Sequence, residues 1–417
     1  MLRADVFRYA VGRWSRAFTA ASLAFLVLWR TAAAASGLAS TDLFPPWAAS
    51  VSPSVPHRSV VTLAVLGFVC HLVFGKAYLL VPSYYQRVHP PSRVPGVHLA
   101  LTGAGALLLA AGPLAGVPDA AADWGALAWA AGVAAFLGSL ARSLRGALAA
   151  TGALGDAATT SERAAMAVLP IPFAYLAAGA YGTVALHWPV PLAAAATPAR
   201  VTHLYAAGLA ALLVFALGVR LLPRFLDAEP TPLLTVPTLA AGAVGPGLLA
   251  ASLWEGALFR VAAALETVAV TGFALQTAVV CARSDRRTVG LYGVLAGALV
   301  GVAGVVTAAG VAAGWVSPAL VAAHASLALG GFLAVTALGF LVQFYPPAGG
   351  EGSTGANALT GAMLAAFGGG VALEAVGSVA AGPGGGEVAA GGTLVSLAGA
   401  VGIAGLVATR LRRIDAC

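Results

Sequence analysis

The chain carries about twelve apolar runs of 17 to 25 residues, each long enough to cross a hydrocarbon core of ~30 Å. In lipid no water is present to satisfy backbone N–H and C=O groups, so each run must satisfy its own, and an α-helix is the only single segment that does so. The spacing predicts spans near 17–36, 58–83, 94–117, 124–149, 164–188, 200–222, 233–253, 256–281, 289–313, 318–343, 356–381 and 389–409. Turn-forming clusters separate them, among them Phe44-Pro45-Pro46, Pro90-Pro91, Pro189-Val190-Pro191, Pro230-Thr231-Pro232, Pro346-Pro347 and Gly382-Pro383-Gly384. Only 9% of residues are charged, against roughly a quarter in soluble domains. The expectation is a single all-α transmembrane domain over residues 1–417, with small-residue seams between its helices.

Basic residues set the expected orientation. With a cytoplasmic N-terminus, Arg3, Arg8, Arg13, Arg16, Arg87, Arg93, Arg142, Arg145, Arg163, Arg220, Arg224, Arg283, Arg286, Arg287, Arg410, Arg412 and Arg413 fall on the inner side. Arg30, Arg58, Arg200 and Arg260 fall near the outer one, so both termini are expected in the cytoplasm and the protein in the plasma membrane. The formal charge of +7 is thus a topology signal facing the lipid bilayer and needs no nucleic-acid partner. Residues 17–36 read as a retained first span, since sixteen residues precede them and no soluble domain follows. Cys70, Cys281 and Cys417 make no disulfide framework.

Histidines recur every fourth span: His71 in the second, His203 in the sixth and His324 in the tenth. Intramembrane imidazole is costly and normally partnered, so the recurrence points to a site at the centre of a ring, weighed against isolated imidazoles bonded to neighbouring hydroxyls or carbonyls. In spans 6 and 10 a glycine, Gly218 or Gly339, follows the histidine by fifteen residues, and Pro223 or Pro346 closes the helix. Span 2 ends alike, with Phe74-Gly75-Lys76-Ala77-Tyr78-Leu79-Leu80-Val81-Pro82, but His71 lies eleven residues before its proline and His57 twenty-five. Internal repeats near 17–150, 160–282 and 288–410 follow, and with them a pseudo-threefold arrangement of four-helix arcs.

Twelve helices in three arcs, with histidines on spans 2, 6 and 10, resemble the catalytic subunit of the heme-copper oxidases. The ending from Phe74 to Pro82 is similar to that of divergent oxidase-like and NnrS-like membrane proteins. The resemblance implies heme b as cofactor, with His71 or His57 as the span 2 ligand, His203 at the place of a copper ligand, His324 as a span 10 heme ligand, and Arg200 toward a propionate. It implies a metal set of His71, His203 and His324, an electron-donor protein or other membrane subunits as partners, and redox or nitric-oxide-related chemistry of the terminal oxidase or nitric oxide reductase superfamily. Ser326 replaces a second span 10 histidine and span 7 holds none, so a copper centre is not expected.

Other intramembrane polar residues are candidates for a proton or ion path. Lys76, the sole lysine, is weighed as a snorkelling interface group; Glu266 lies mid-span, beyond snorkelling reach; and Gln276 follows it by ten residues. His98 is expected to cap span 3. A twelve-span proton- or ion-coupled secondary transporter, with Glu266 and Lys76 as coupling groups, is the alternative function; a scaffold or assembly factor is a third. No phosphate-cradling loop, CxxC or HExxH pattern is present.

Overall fold

The computed structural model describes residues 2–39, 41, 55–85, 87, 93–146, 159–191, 196–347, 354–380 and 383–416. The expected breaks at Phe44-Pro45-Pro46 and Pro90-Pro91 and the thiol of Cys417 lie outside the described residues. Among the described residues, twelve helices are long and apolar enough to span a membrane: α1 (Gly12–Ala39), α2 (His57–Tyr84), α3 (Val94–Ala111), α4 (Ala120–Ser143), α5 (Thr160–Ala185), α6 (Pro198–Leu226), α7 (Pro232–Ser252), α8 (Gly256–Arg283), α9 (Val289–Ala313), α10 (Pro318–Phe344), α11 (Thr354–Val379) and α12 (Gly384–Arg413). No strand occurs among the described residues. Two spans differ from expectation: α3 stops at Ala111, ahead of Gly112-Pro113, and α4 starts at Ala120, just after Pro118 and Asp119. Proline cannot continue a helix but is tolerated where one begins.

Glycine sets how closely the helices approach. Gly293, Gly297 and Gly301 fall on one stripe of α9, where a Cβ would meet Gly339, Thr336 and Phe332 of α10. Gly370 of α11 and Gly392 of α12 lie backbone to backbone in the same way. In hydrocarbon, burying apolar surface against a neighbour gains little over lipid, so close packing of this kind supplies the association.

Helices α2, α6 and α10 form the centre. About 67–72% of their apolar windows is buried, against 33–56% for the other nine. Each contains a π-helical segment, Leu63–Cys70, Leu204–Ala211 and Ser326–Ala334, and the three segments touch one another pairwise. The segments share a register that the histidines do not: Cys70, Ala211 and Ala334 each stand twelve residues before Pro82, Pro223 and Pro346. Gly67, Gly208 and Gly331 each stand fifteen before, and there a Cβ would strike the preceding helix, at Phe25 of α1, Tyr175 of α5 and Val300 of α9. In this register His203 matches Thr62 and Ser326, His324 matches Val60 and Val201, and His71 matches Leu212 and Val335. The backbone repeats; the imidazoles do not.

Candidate functional site

A cavity of about 500 Å3 opens where α2, α6 and α10 begin and α5, α7 and α9 end. Its walls are mostly aliphatic, from Val61, Leu66, Leu249, Val270, Leu329 and their neighbours, with Phe259 and Phe332. Against this lining stand His57, Arg58 and His187 near the mouth, then His203, His324 and Glu266. A concave apolar site with few polar groups is the usual form of a small-molecule or cofactor pocket.

His203 and His324 face one another across it, with ring centres 6.5 Å apart and planes within 9° of parallel. His203 Nδ1 is 2.8 Å from the carbonyl of Ala199, one turn back on its own helix. His324 Nδ1 is 2.9 Å from the carbonyl of Gly304 on α9, where the absent side chain leaves the carbonyl within reach. A carbonyl only accepts, so both Nδ1 atoms carry the proton and both Nε2 atoms keep their lone pair. This is the tautomer a metal ligand needs, fixed by a hydrogen bond from the far ring nitrogen to a backbone carbonyl, as ligating histidines commonly make.

The third expected histidine is elsewhere. His71 is fully buried among α1, α3 and α4, with its ring 6.1 and 4.9 Å from Phe18 and Phe25 and 6.3 Å from Trp129. Its Nδ1 bonds the Leu66 carbonyl at 2.9 Å, the carbonyl five residues back at the π segment, and its Nε2 is 3.3 Å from Thr102 Oγ1. It does not line the cavity, so His71, His203 and His324 are not brought together as one ligand set. His57, the other span 2 candidate, is exposed and lies at the mouth. Among the described residues no three His, Cys, Asp or Glu side chains gather as a metal cluster, and the cavity pair alone gives too few strong ligands for a copper centre.

Arg200 also departs from expectation. Its guanidinium is paired with Glu255, beyond the end of α7, and it does not line the cavity. Arg58 does, and its Nη2 donates to His187 Nε2 at 3.2 Å while His187 Nδ1 donates to Asp123 at 3.1 Å. His187 lies outside the spans; burial and the Arg58 cation push it below the ordinary imidazole range, partly offset by Asp123. Asp123 and His187 lie far apart in the sequence, so their pairing shows only in the fold.

Lys76 does not snorkel. It is 9% exposed, 3.2 Å from Tyr345 Oη, with Nζ 4.8 and 4.5 Å over the rings of Phe344 and Tyr345. His98 is not a cap: it is buried four residues into α3, 3.1 Å from Tyr78 Oη and stacked on Phe136. Ser326, at the place of a second span 10 ligand, bonds Glu374 at 3.2 Å, and Glu374 pairs with the buried Arg30 at 2.6 Å. Cys70 is buried and free.

The donor set fits a b-type heme on three observations. Two imidazoles present bare Nε2 atoms; the walls are apolar; and Arg58 offers a cation at the mouth. No protein-family model matches the chain, and no curated protein matches it.

Proposed function

We propose that this chain is a multi-pass plasma-membrane protein that binds a b-type heme in the cavity between α2, α6 and α10 and serves a redox or nitric-oxide-related function. The tautomer-locked pair His203 and His324 carries this reading. The pairwise contact of the three central helices and their common π register support the three-arc arrangement of an oxidase-like fold, the family that the chain resembles. An even number of spans with the arginine-rich ends on one side supports both termini in the cytoplasm.

The residues divide the work by position. His203 and His324 would hold the iron through Nε2, and their Nδ1 bonds to Ala199 and Gly304 keep each ring from turning. Arg58, oriented by His187 and Asp123, offers its charge to a propionate. The aliphatic walls exclude water, which strengthens every electrostatic contact inside. A bound heme supplies an iron that exchanges single electrons.

An absorbance spectrum of the detergent-purified protein, expressed with adequate heme, tests this. A Soret band is expected, moved or lost in His203→Ala and in His324→Ala. Its absence from the wild-type protein refutes the proposal. The second reading, a proton- or ion-coupled transporter, is favoured by the carboxyl of Glu266 on the same cavity wall; ion-gradient-driven uptake without a Soret band would select it.

A further inference from the structure

Where α7 turns into α8, one short strap supplies part of the cavity wall, through Leu249, Leu253 and Trp254. The chain turns over the four residues Ser252 to Glu255, closed by Glu255 N donating to Ser252 O at 2.7 Å. Leu253 has φ −55° and ψ 121°, and Trp254 has φ 69°. These are the angles of a type II turn, whose third position requires left-handed backbone and normally holds glycine or asparagine. Here it holds tryptophan, a bulky side chain for which positive φ is a steric outlier. Strain of this kind persists only where surrounding contacts hold it, and it collects at ligand clamps and switch segments. Yet Trp254 is 55% exposed, with its ring 5.3 Å from that of Phe259 on α8.

Both ends of the strap can bend. At the α7 end Pro246 lacks the N–H that would bond the carbonyl four residues back. On the next rung Tyr175 Oη of α5 stands between Ala243 and Gly247, donating to Ala243 O at 2.7 Å and accepting from Gly247 N at 3.0 Å. Proline and an inserted side chain are two ordinary causes of a helix kink, and they fall here on adjacent rungs. At the α8 end Gly256 has φ 60°, which glycine takes without strain.

The ties of the strap are weak ones. Leu249, Leu253 and Ala262, with Leu248 and Phe259 against them, form a buried cluster separate from the main core. In hydrocarbon such apolar contacts can be exchanged for lipid at small cost. Toward α6 the strap is tied by the ion pair of Glu255 with Arg200, and Glu255 is 69% exposed, so the pair is weak and open to screening by salt.

We propose that residues 247–256 form a gate in the side of the cavity. When the Arg200–Glu255 pair opens, the strap swings about Pro246 and Gly256, Trp254 leaves its left-handed conformation, and a bulky apolar guest that the closed wall excludes can enter. Strain at Trp254 favours the open arrangement, while the ion pair and the cluster around Leu249 and Leu253 favour the closed one. Opposed terms of similar size are what keep a hinged segment bistable. The inference concerns entry to the cavity and does not depend on heme being the guest.

The test is the rate at which pyrenyl maleimide, a planar apolar thiol reagent, labels the full-length protein purified in detergent without added heme. The starting protein carries Ala328→Cys on the α10 wall of the cavity, with Cys281→Ser and Cys417→Ser and the buried Cys70 retained. Glu255→Arg sets two cations face to face and should raise the rate at least about tenfold. Arg200→Glu combined with Glu255→Arg restores the pair and should return the rate to within about threefold of the starting protein. Raising salt from about 0.05 to about 1 M should speed labelling of the starting protein at least about threefold, with no substitution at the latch. A change under about twofold in Glu255→Arg, a charge swap as fast as the single variant, or a flat salt response overturns the gate. So does equal labelling of the same variants without Ala328→Cys, since Cys70 is then the remaining thiol and its reaction reports a loosened bundle. Because the readout is pyrene fluorescence, a missing Soret band and a shut gate are separate results.

Discussion

Replacing Glu374 by Gln should unfold the closure of the bundle more than any single change in the cavity. Arg30 of α1 is 2% exposed and gives one nitrogen, Nη2, to Glu374 of α11 and to Ser396 of α12, both at 2.6 Å. Its guanidinium carbon lies 5.0 Å over Trp29 and 6.0 Å over Phe367. Glutamine keeps the shape and one accepting oxygen but removes the counter-charge, leaving a buried cation with only neutral partners. Breaking a buried pair from one side costs about 3–5 kcal/mol, while replacing both partners by apolar residues is often neutral. Glu374 is 22% exposed, which weakens its share, so about 3 kcal/mol is expected, near a hundredfold in the unfolding equilibrium. Equilibrium unfolding in mixed micelles reads this directly. The double variant Arg30→Met, Glu374→Leu should recover most of the loss. A Glu374→Gln cost under about 1 kcal/mol, or additive losses in the double variant, would refute the claim that an uncompensated cation is the cause.

Four further outcomes follow from the same geometry. His71→Ala should leave the Soret band where it is, unlike the cavity variants, because His71 packs away from the cavity; a matching shift in absorbance would place it in the site. His187 is held below its ordinary value of 6.5 in the folded state, so its contribution is complete above that pH and is lost as pH falls below it; melting curves of wild type should drop between pH 7 and 5, and those of His187→Gln should drop less. Gly370→Ala sets a methyl against the backbone of Gly392 and Ser396 and should destabilise by about 1–3 kcal/mol, while Gly369→Ala meets nothing within 4 Å and should be near neutral in the same assay. Tyr175→Phe leaves Ala243 O and Gly247 N without their bridge and should cost about 1–3 kcal/mol by micelle unfolding.

Much of the architecture was legible in the chain. Span number follows from apolar length, because lipid forbids unpaired backbone, and ten of the expected segments overlap their helices closely. The ends of α3 and α4 shifted because Pro113 and Pro118 outrank hydropathy there. Of the site, the sequence placed His203 and His324 with His71 as one set and Glu266 apart as a path residue; the fold puts His203, His324 and Glu266 on one cavity wall and His71 elsewhere. Residue order could not separate His71 from the other two histidines: helical position tells depth, but the direction in which a side chain leaves a helix within a bundle depends on which neighbours surround it. Lys76 and His98 were misjudged for that reason too, one finding Tyr345 and the other Tyr78 inside the protein.

The repeat shows the division most sharply. Residue order alone showed the shared endings at Pro82, Pro223 and Pro346 and the histidines of spans 2, 6 and 10, and with these pointed to the three central helices. Only the folded chain revealed that these helices take one π segment each, with Gly67, Gly208 and Gly331 inside the segments in close contact with α1, α5 and α9. The histidines are out of register along the chain, yet two of them meet, since a pairing across helices is set by rotation and approach and not by spacing. Sequence determines which residues must be in the membrane; packing decides which of them face each other.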